Sequence, residues 1–320
     1  MLDTVACGAA FGAALAASAV HQPYVIVTQL RLTNFHMLES FLAAAASSAL
    51  FTAVMQGTGY AAFPPRSFSS LGLLGRLDGN IVGGLLQGAG MAFSGACAGT
   101  VFAQNGAGIE SSFYALGGAM VGGIVWTGFL RPALQRRRKP LPTQNLTVDR
   151  QLGVGRKTAL TLLETAFVAT IGVAATSSSV VTHSQGPVHP VAGGVLIGLA
   201  QLFSILLRKT MLGTSTSFEE FGDYFWWLAG GARATRPSYK NMLFAASMAF
   251  GSYLISLKSP YLHNQQQRRG CKQPGQGGSG GRPDCYRVAD GWRLHLGSWH
   301  HFVTVAAMCA GGIGVTSALG

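Results

Sequence analysis

Charge is the first thing this sequence lacks. Charged residues make up 11% of its 320 positions, and acids are the scarcer kind, 11 against 23 Lys and Arg. An ordinary soluble domain carries about 25% charged residues, so a water-soluble surface of the usual kind is excluded. No two of the five cysteines (Cys7, Cys97, Cys271, Cys285, Cys309) stand at C-x-x-C spacing, which removes the common zinc and dithiol redox motifs. No acid or cysteine falls at ligand spacing to the histidines of the His183–His189 stretch or to His300 and His301, so no metal site is expected. There is no G-X-Y period, which excludes collagen. The start lacks the basic residues of a cleavable leader and carries Asp3, so no signal peptide is expected.

What is present is apolar and small. Hydrophobic residues reach 48%, mean hydropathy is +0.32, and the 44 glycines are about double the usual ~7% share. Small residues let helix backbones approach where lipid supplies no hydrophobic drive. The expected fold class is therefore all-α: a polytopic integral membrane protein. Apolar runs suited to spans cover Val5 to Val20, Met37 to Met55, Asn80 to Phe102, Phe113 to Leu130, Thr158 to Val181, Val191 to Leu207, Asn241 to Leu257 and His300 to Leu319. Pro23 to Leu32 and Gly213 to Leu228 are too short or too polar to cross and read as re-entrant pieces. About eight or nine transmembrane helices are expected. The N-terminal run, Val5 to Val20, is the shortest of them.

The net charge of +12 sits in loops between apolar runs, the pattern of cytoplasmic loops and not of a nucleic-acid surface. Eight basic residues crowd the loop 131–157: Arg131, Arg136, Arg137, Arg138, Lys139, Arg150, Arg156 and Lys157. This loop divides a first membrane half (1–130) from a second (158–257). With four spans before it, the N-terminus shares its cytoplasmic side. A low-complexity loop (258–298) holding Cys271 and Cys285 follows, read as disordered, and then a C-terminal segment (299–320). That loop is basic too and would fall outside, so orientation stays open. The sequon Asn145-Leu146-Thr147 lies in the cytoplasmic loop, where no glycan is expected. GGLLQGAGMAFS (Gly83 to Ser94) and GGVLIGLAQLFS (Gly193 to Ser204) agree at six positions at an offset of 110, which supports two pseudo-repeated halves, although glycine-rich helices also resemble one another by chance.

G-x-x-x-G spacing recurs at Gly8/Gly12, Gly84/Gly88, Gly95/Gly99, Gly118/Gly122 and Gly194/Gly198, read mostly as packing glycines. The run from Gly88 to Gly108, GAGMAFSGACAGTVFAQNGAG, is different. Small residues surround Cys97 and are followed by Thr100, Gln104 and Asn105. An intramembrane cysteine is commonly a small apolar filler. If the helix breaks at Cys97, however, backbone N–H groups and a positive dipole end face an open space beside a polarisable thiol, an arrangement suited to a sulfur anion. Glu39 and Glu164 lie inside apolar helices, as proton relays or as solvated ends. Glu219, Glu220 and Asp223 would repel an anion and are expected at a water-facing edge.

The Gly88 to Gly108 run resembles the signature of the YeeE/YedE sulfur transport family, in which a glycine-rich helix leads into a G-G-C-type turn. Here the turn reads G-A-C-A-G. The Leu212 to Leu228 segment, LGTSTSFEEFGDYFWWL, resembles that family's second-half L-G-T-S segment, and MCAGGIGVTSALG (Met308 to Gly320) looks like a degraded copy of its C-terminal cysteine turn. The resemblance implies transport of thiosulfate or a similar small sulfur anion along a path of intramembrane thiols. Cys97 carries over, with Gly95, Gly99 and Thr100 shaping a narrow point and offering backbone donors and Gln104 nearby. Cys309 carries over from the C-terminal copy. Cys7 precedes the family's first-helix cysteine region, which here reads HQPYVIVTQL and has no thiol. No cofactor, catalytic residue or nucleic-acid partner is implied. The expected partners are the anion and the lipid bilayer, with room for a homo-oligomer, in the plasma membrane by preference or in an organelle. The rival readings are a carrier of another sulfur or selenium species, a persulfide-handling enzyme, and a membrane protein whose path has decayed.

Overall fold

The computed structural model describes residues 1–62, 78–137, 153–177, 188–210, 213–230 and 236–258. The C-terminal segment with Cys309, the low-complexity loop with Cys271 and Cys285, and most of the basic loop lie outside them. Of the described residues 81% are helical and none is in a strand. In chain order the helices are α1 (Leu2–Ala17), α2 (Pro23–Leu30), α3 (His36–Gly57), α4 (Asp78–Ser94), α5 (Val101–Gly106), α6 (Glu110–Val125), α7 (Arg131–Arg137), α8 (Arg156–Ser177), α9 (Pro190–Arg208), α10 (Thr216–Ala229) and α11 (Lys240–Lys258). A π-helical turn, Trp126–Leu130, joins α6 to α7.

Among the described residues four helices are long and apolar enough to cross a bilayer: His36–Gly57, Glu110–Arg136, Arg156–Ser177 and Pro190–Arg208. The described part of the chain is all-helical and carries spans of an integral membrane protein. One expected span is interrupted. The run from Asn80 to Phe102 stops as a helix at Ser94, and α5 begins only at Val101. Gly95 ends it by entering the left-handed region at φ +62, the conformation that glycine adopts at a helix C-terminus. The Ser94 hydroxyl donates to Gly90 O and accepts the Ala96 N–H, so the terminus is closed by its own side chain. Hydropathy alone could not see this, because the residues on both sides of the break are equally apolar. The Pro23 and Gly213 pieces are short helices of 8 and 14 residues, α2 and α10.

The glycine spacing divides into two kinds. A Cβ on Gly8 would strike Ser247 Oγ, and one on Gly12 would overlap Met248 O, so α1 and α11 touch backbone to backbone. A Cβ on Gly194 would strike Ser40 O and one on Gly198 would strike Ser47 Oγ, which sets α9 against α3. By contrast, Gly84 and Gly88 face open space. The glycines that the repeat aligns therefore sit in different surroundings. Helix α8 is the least covered span, with 6% of its apolar window buried. The core gathers Leu15, Val20, Ala44, Val101, Phe102 and Phe218 around the interrupted helix.

Candidate functional site

The break places Cys97 in a six-residue turn between α4 and α5, half-buried and as a free thiol. Thr100, fully buried, stands beside it: its Oγ1 accepts the Cys97 N–H at 3.3 Å and lies 3.2 Å from Cys97 Sγ. The hydroxyl keeps its own proton, which can go to sulfur and leave the S–H free to point elsewhere. Gln104, 1% exposed, reaches back from α5 and donates from Nε2 to Gly95 O at 2.9 Å. Its side chain therefore braces the turn. Pro23, at the head of α2, closes the other side: a Cβ on Gly95 would lie 3.1 Å from Pro23 Cβ. The stretch without the family's first thiol thus abuts the Cys97 turn, with a proline at the contact.

Cys97 opens on a cavity of about 30 Å³ shared with Gln87, Met91, Ser94, Ala115 and Ala119. That is room for about two water molecules. An anion the size of a sulfur oxyanion does not fit this cavity as it stands. Among the described residues, no charged side chain lines this space.

The expected backbone donors are largely engaged. Thr100 N–H and Val101 N–H both donate to Cys97 O, and Gly95 N–H donates to Met91 O. The turn closes on itself, so the start of α5 offers little of the positive pole anticipated there. The second half contributes what the sequence reading missed. A Cβ on Gly99 would lie 3.7 Å from Cys97 Sγ and 3.7 Å from Thr214 Oγ1, so the space over Gly99 is bounded by a thiol on one side and a hydroxyl on the other. Thr214 belongs to the L-G-T-S segment, and α10 begins just beyond it at Thr216. The only signal in the sequence was the pairing of two small-residue turns, one in each half, and spacing does not say that two turns meet.

Cys7 is fully buried in α1, with the Ser204 hydroxyl and Arg208 of α9 beside its thiol. Cys309 lies outside the described residues. The acids of α10 all have structural partners. Glu219 accepts from Trp126 Nε1 at 2.7 Å, and Asp223 pairs with Arg131 at 3.2 Å. Glu220 caps α11, accepting the N–H groups of Asn241 and Met242 at 2.9 and 3.1 Å. Burial pushes the Glu220 carboxyl above its ordinary range, against the opposing pull of those two N–H groups. Glu220→Ala is expected to cost about 0.5–2 kcal/mol through the lost cap, read as a lower unfolding midpoint in detergent. Among the described residues no three His, Cys, Asp or Glu gather closely enough to hold a metal.

The family model for sulphur transport matches residues 18–273, which take in the Pro23 contact, the Cys97 turn and Thr214. This chain belongs to the sulphur transport family. A search of the curated proteins finds no match. Cys7 and Cys309 fall outside the matched stretch, and Cys97 falls inside it. Membership in a transport family agrees with a protein that moves its substrate without transforming it.

Proposed function

We propose that this member of the sulphur transport family carries a small sulfur-containing anion, thiosulfate first among them, through a constriction at Cys97. The observation that supports the reading most is the helix break that sets a free thiol between Thr100 and the open space over Gly99, facing Thr214 from the other half. In this reading the Thr100 hydroxyl donates to Cys97 sulfur, and the thiol proton is offered to the terminal sulfur of the anion. Thiols and sulfur anions suit one another because both are soft and polarisable. The Thr214 hydroxyl takes the oxyanion end, and the N-terminal pole of α10 beside it favours negative charge.

The two membrane halves, 1–130 and 158–257, meet at this point as Gly99 meets Thr214, with eight or nine spans in the whole chain and the basic loop 131–157 in the cytoplasm. The plasma membrane is the compartment that suits uptake of such an anion. Among the described residues Cys97 is the thiol that this arrangement uses.

The test is thiosulfate uptake in cells that lack their own route, comparing the intact protein with Cys97→Ala. Uptake by the intact protein and a loss of roughly tenfold or more in the variant are expected, the size of removing about 1.4 kcal/mol of stabilisation from the narrowest point. Equal uptake by both removes Cys97 from the path. Absence of uptake in both favours a membrane protein whose path has decayed or a persulfide-handling enzyme.

A further inference from the structure

Two buried ionisable groups of the membrane part lie at the N-terminal end of α3, which stands beside α9 where Gly194 meets Ser40 O. His36 is 3% exposed and Glu39 is 3% exposed. His36 Nε2 lies 2.9 Å from Ser18 O. A carbonyl only accepts, so Nε2 carries the hydrogen and Nδ1 of the neutral ring is a bare lone pair. That Nδ1 is buried and has no hydrogen-bond partner, and the same holds for Ser40 Oγ, one helical turn further on, and for Asn34 Nδ2 just before the helix. A buried polar group without a partner is costly and calls for an explanation, and an ionisable residue inside a membrane segment is a functional candidate by default.

The groups that face His36 are of two signs. Glu39 comes from its own helix and His189 from the head of α9. His21, in the turn after α1, is fully buried with Nδ1 at 3.3 Å from Leu15 O, and burial pulls its imidazolium down to about 4, so it stays neutral. Helix α2 carries no Asp, Glu, Lys, Arg or His, with the exposed Arg31 just beyond its end, and α8 carries Glu164 and, at its start, Arg156 and Lys157, of which Arg156 donates to Gln56 at the opposite end of α3 from His36. A proton on His36 Nδ1 thus has the Glu39 carboxylate close by and His189 as the opposing group.

The turn 18–23 ties this place to the anion path. One end, Ser18, accepts from His36, and a Cβ on Gly193 would lie 2.6 Å from Ser18 Cβ. The other end, Pro23, presses on Gly95 beside Cys97. We propose that His36 and Glu39 form a proton-binding site whose occupancy is coupled, through the turn 18–23, to passage of the anion past Cys97. The coupling rests on the sulfur-anion reading above. The proton comes from the aqueous phase, forms a bond to Nδ1 and is held against the Glu39 carboxylate. It leaves to water when the anion has passed, so no other reactant is involved.

The experiment uses the full chain in proteoliposomes, with the membrane potential clamped and a pH-sensitive dye inside, and thiosulfate added outside. Acidification of the lumen that accompanies thiosulfate entry is expected. His36→Gln keeps a donor for Ser18 O, so this variant is expected to admit thiosulfate while acidification falls to the level of empty vesicles. Glu39→Gln should weaken it in the same direction. Thiosulfate entry without any lumenal pH change, or full acidification in both variants, overturns the proposal. If the intact protein admits no thiosulfate, the transport reading is what fails. The proton site is then decided by the NMR signal of the His36 ring, identified by its absence in His36→Gln. A signal that titrates and moves in Glu39→Gln supports the site, and one that stays constant with pH overturns it.

Discussion

Gly99→Leu is expected to abolish transport and leave the fold intact. The two halves of that statement come from one measurement of space. A Cβ at Gly99 meets Cys97 Sγ and Thr214 Oγ1 at 3.7 Å each, which is ordinary van der Waals contact, so the backbone need not move. The rest of a leucine side chain, however, must occupy the gap between the thiol and the hydroxyl, the gap that the proposed path requires. Uptake should fall to the background of cells without the protein, while the unfolding midpoint in detergent should shift by no more than the ~0.5 kcal/mol typical of a substitution that fits. Gly99→Ala should fall between, with partial uptake. Transport unchanged in Gly99→Leu would place the path elsewhere. Because this substitution removes no chemical group, it separates blocking from the loss of thiol chemistry in Cys97→Ala.

Gly12→Leu is expected to have the opposite signature, a loss of the fold itself. A Cβ at Gly12 overlaps Met248 O and lies 2.7 Å from the Met248 carbonyl carbon and 2.9 Å from its Cα. These are backbone atoms, which cannot rotate away as a side chain would. Ala9 O in turn blocks Gly251 from the other direction, so the two helices are interlocked at reciprocal points. This is the most extensive helix pair among the described residues. Forcing it apart costs more than the 1–3 kcal/mol typical of overpacking, because the backbones must separate along their length. The measurement is the yield of monodisperse protein after detergent extraction, with Gly88→Leu as the control, since a Cβ there meets nothing within 4 Å. Equal yields for the two would mean that α1 and α11 do not pack as described.

The contrast between these glycines shows how far spacing can be read. Gly8/Gly12 and Gly84/Gly88 have the same G-x-x-x-G signature, yet the first pair is locked against α11 and the second faces open space. Spacing reports that a helix has a smooth stripe. Which neighbour lies on it is decided by the packing of residues far away in the chain. The helix break at Gly95 was legible only as a cluster of small residues around Cys97. The φ of +62 that ends α4 is a backbone property that several of the neighbouring glycines could equally have supplied. The three acids of α10 were expected at an aqueous edge, on the physical ground that they would repel an anion. Their partners Trp126, Arg131 and the head of α11 became visible only once the π-helical turn, α7 and α11 were seen beside them.

By itself the sequence determined the class of the protein and its medium. Few charges, abundant glycine and apolar runs long enough to span leave the backbone no choice but to pair its own hydrogen bonds, which in lipid means helices. It also determined that Cys97 sits among small residues, and the resemblance carried by those residues agrees with the family match. Only the tertiary structure decided that Thr100 holds the thiol, that Pro23 stands beside the turn, that Thr214 faces Gly99 from across the chain, and that His36 is buried with one nitrogen unpaired. The reason is physical. Composition and periodicity follow from what each residue prefers against water or lipid, whereas a site is made where separate segments meet, and that meeting depends on the packing of the whole.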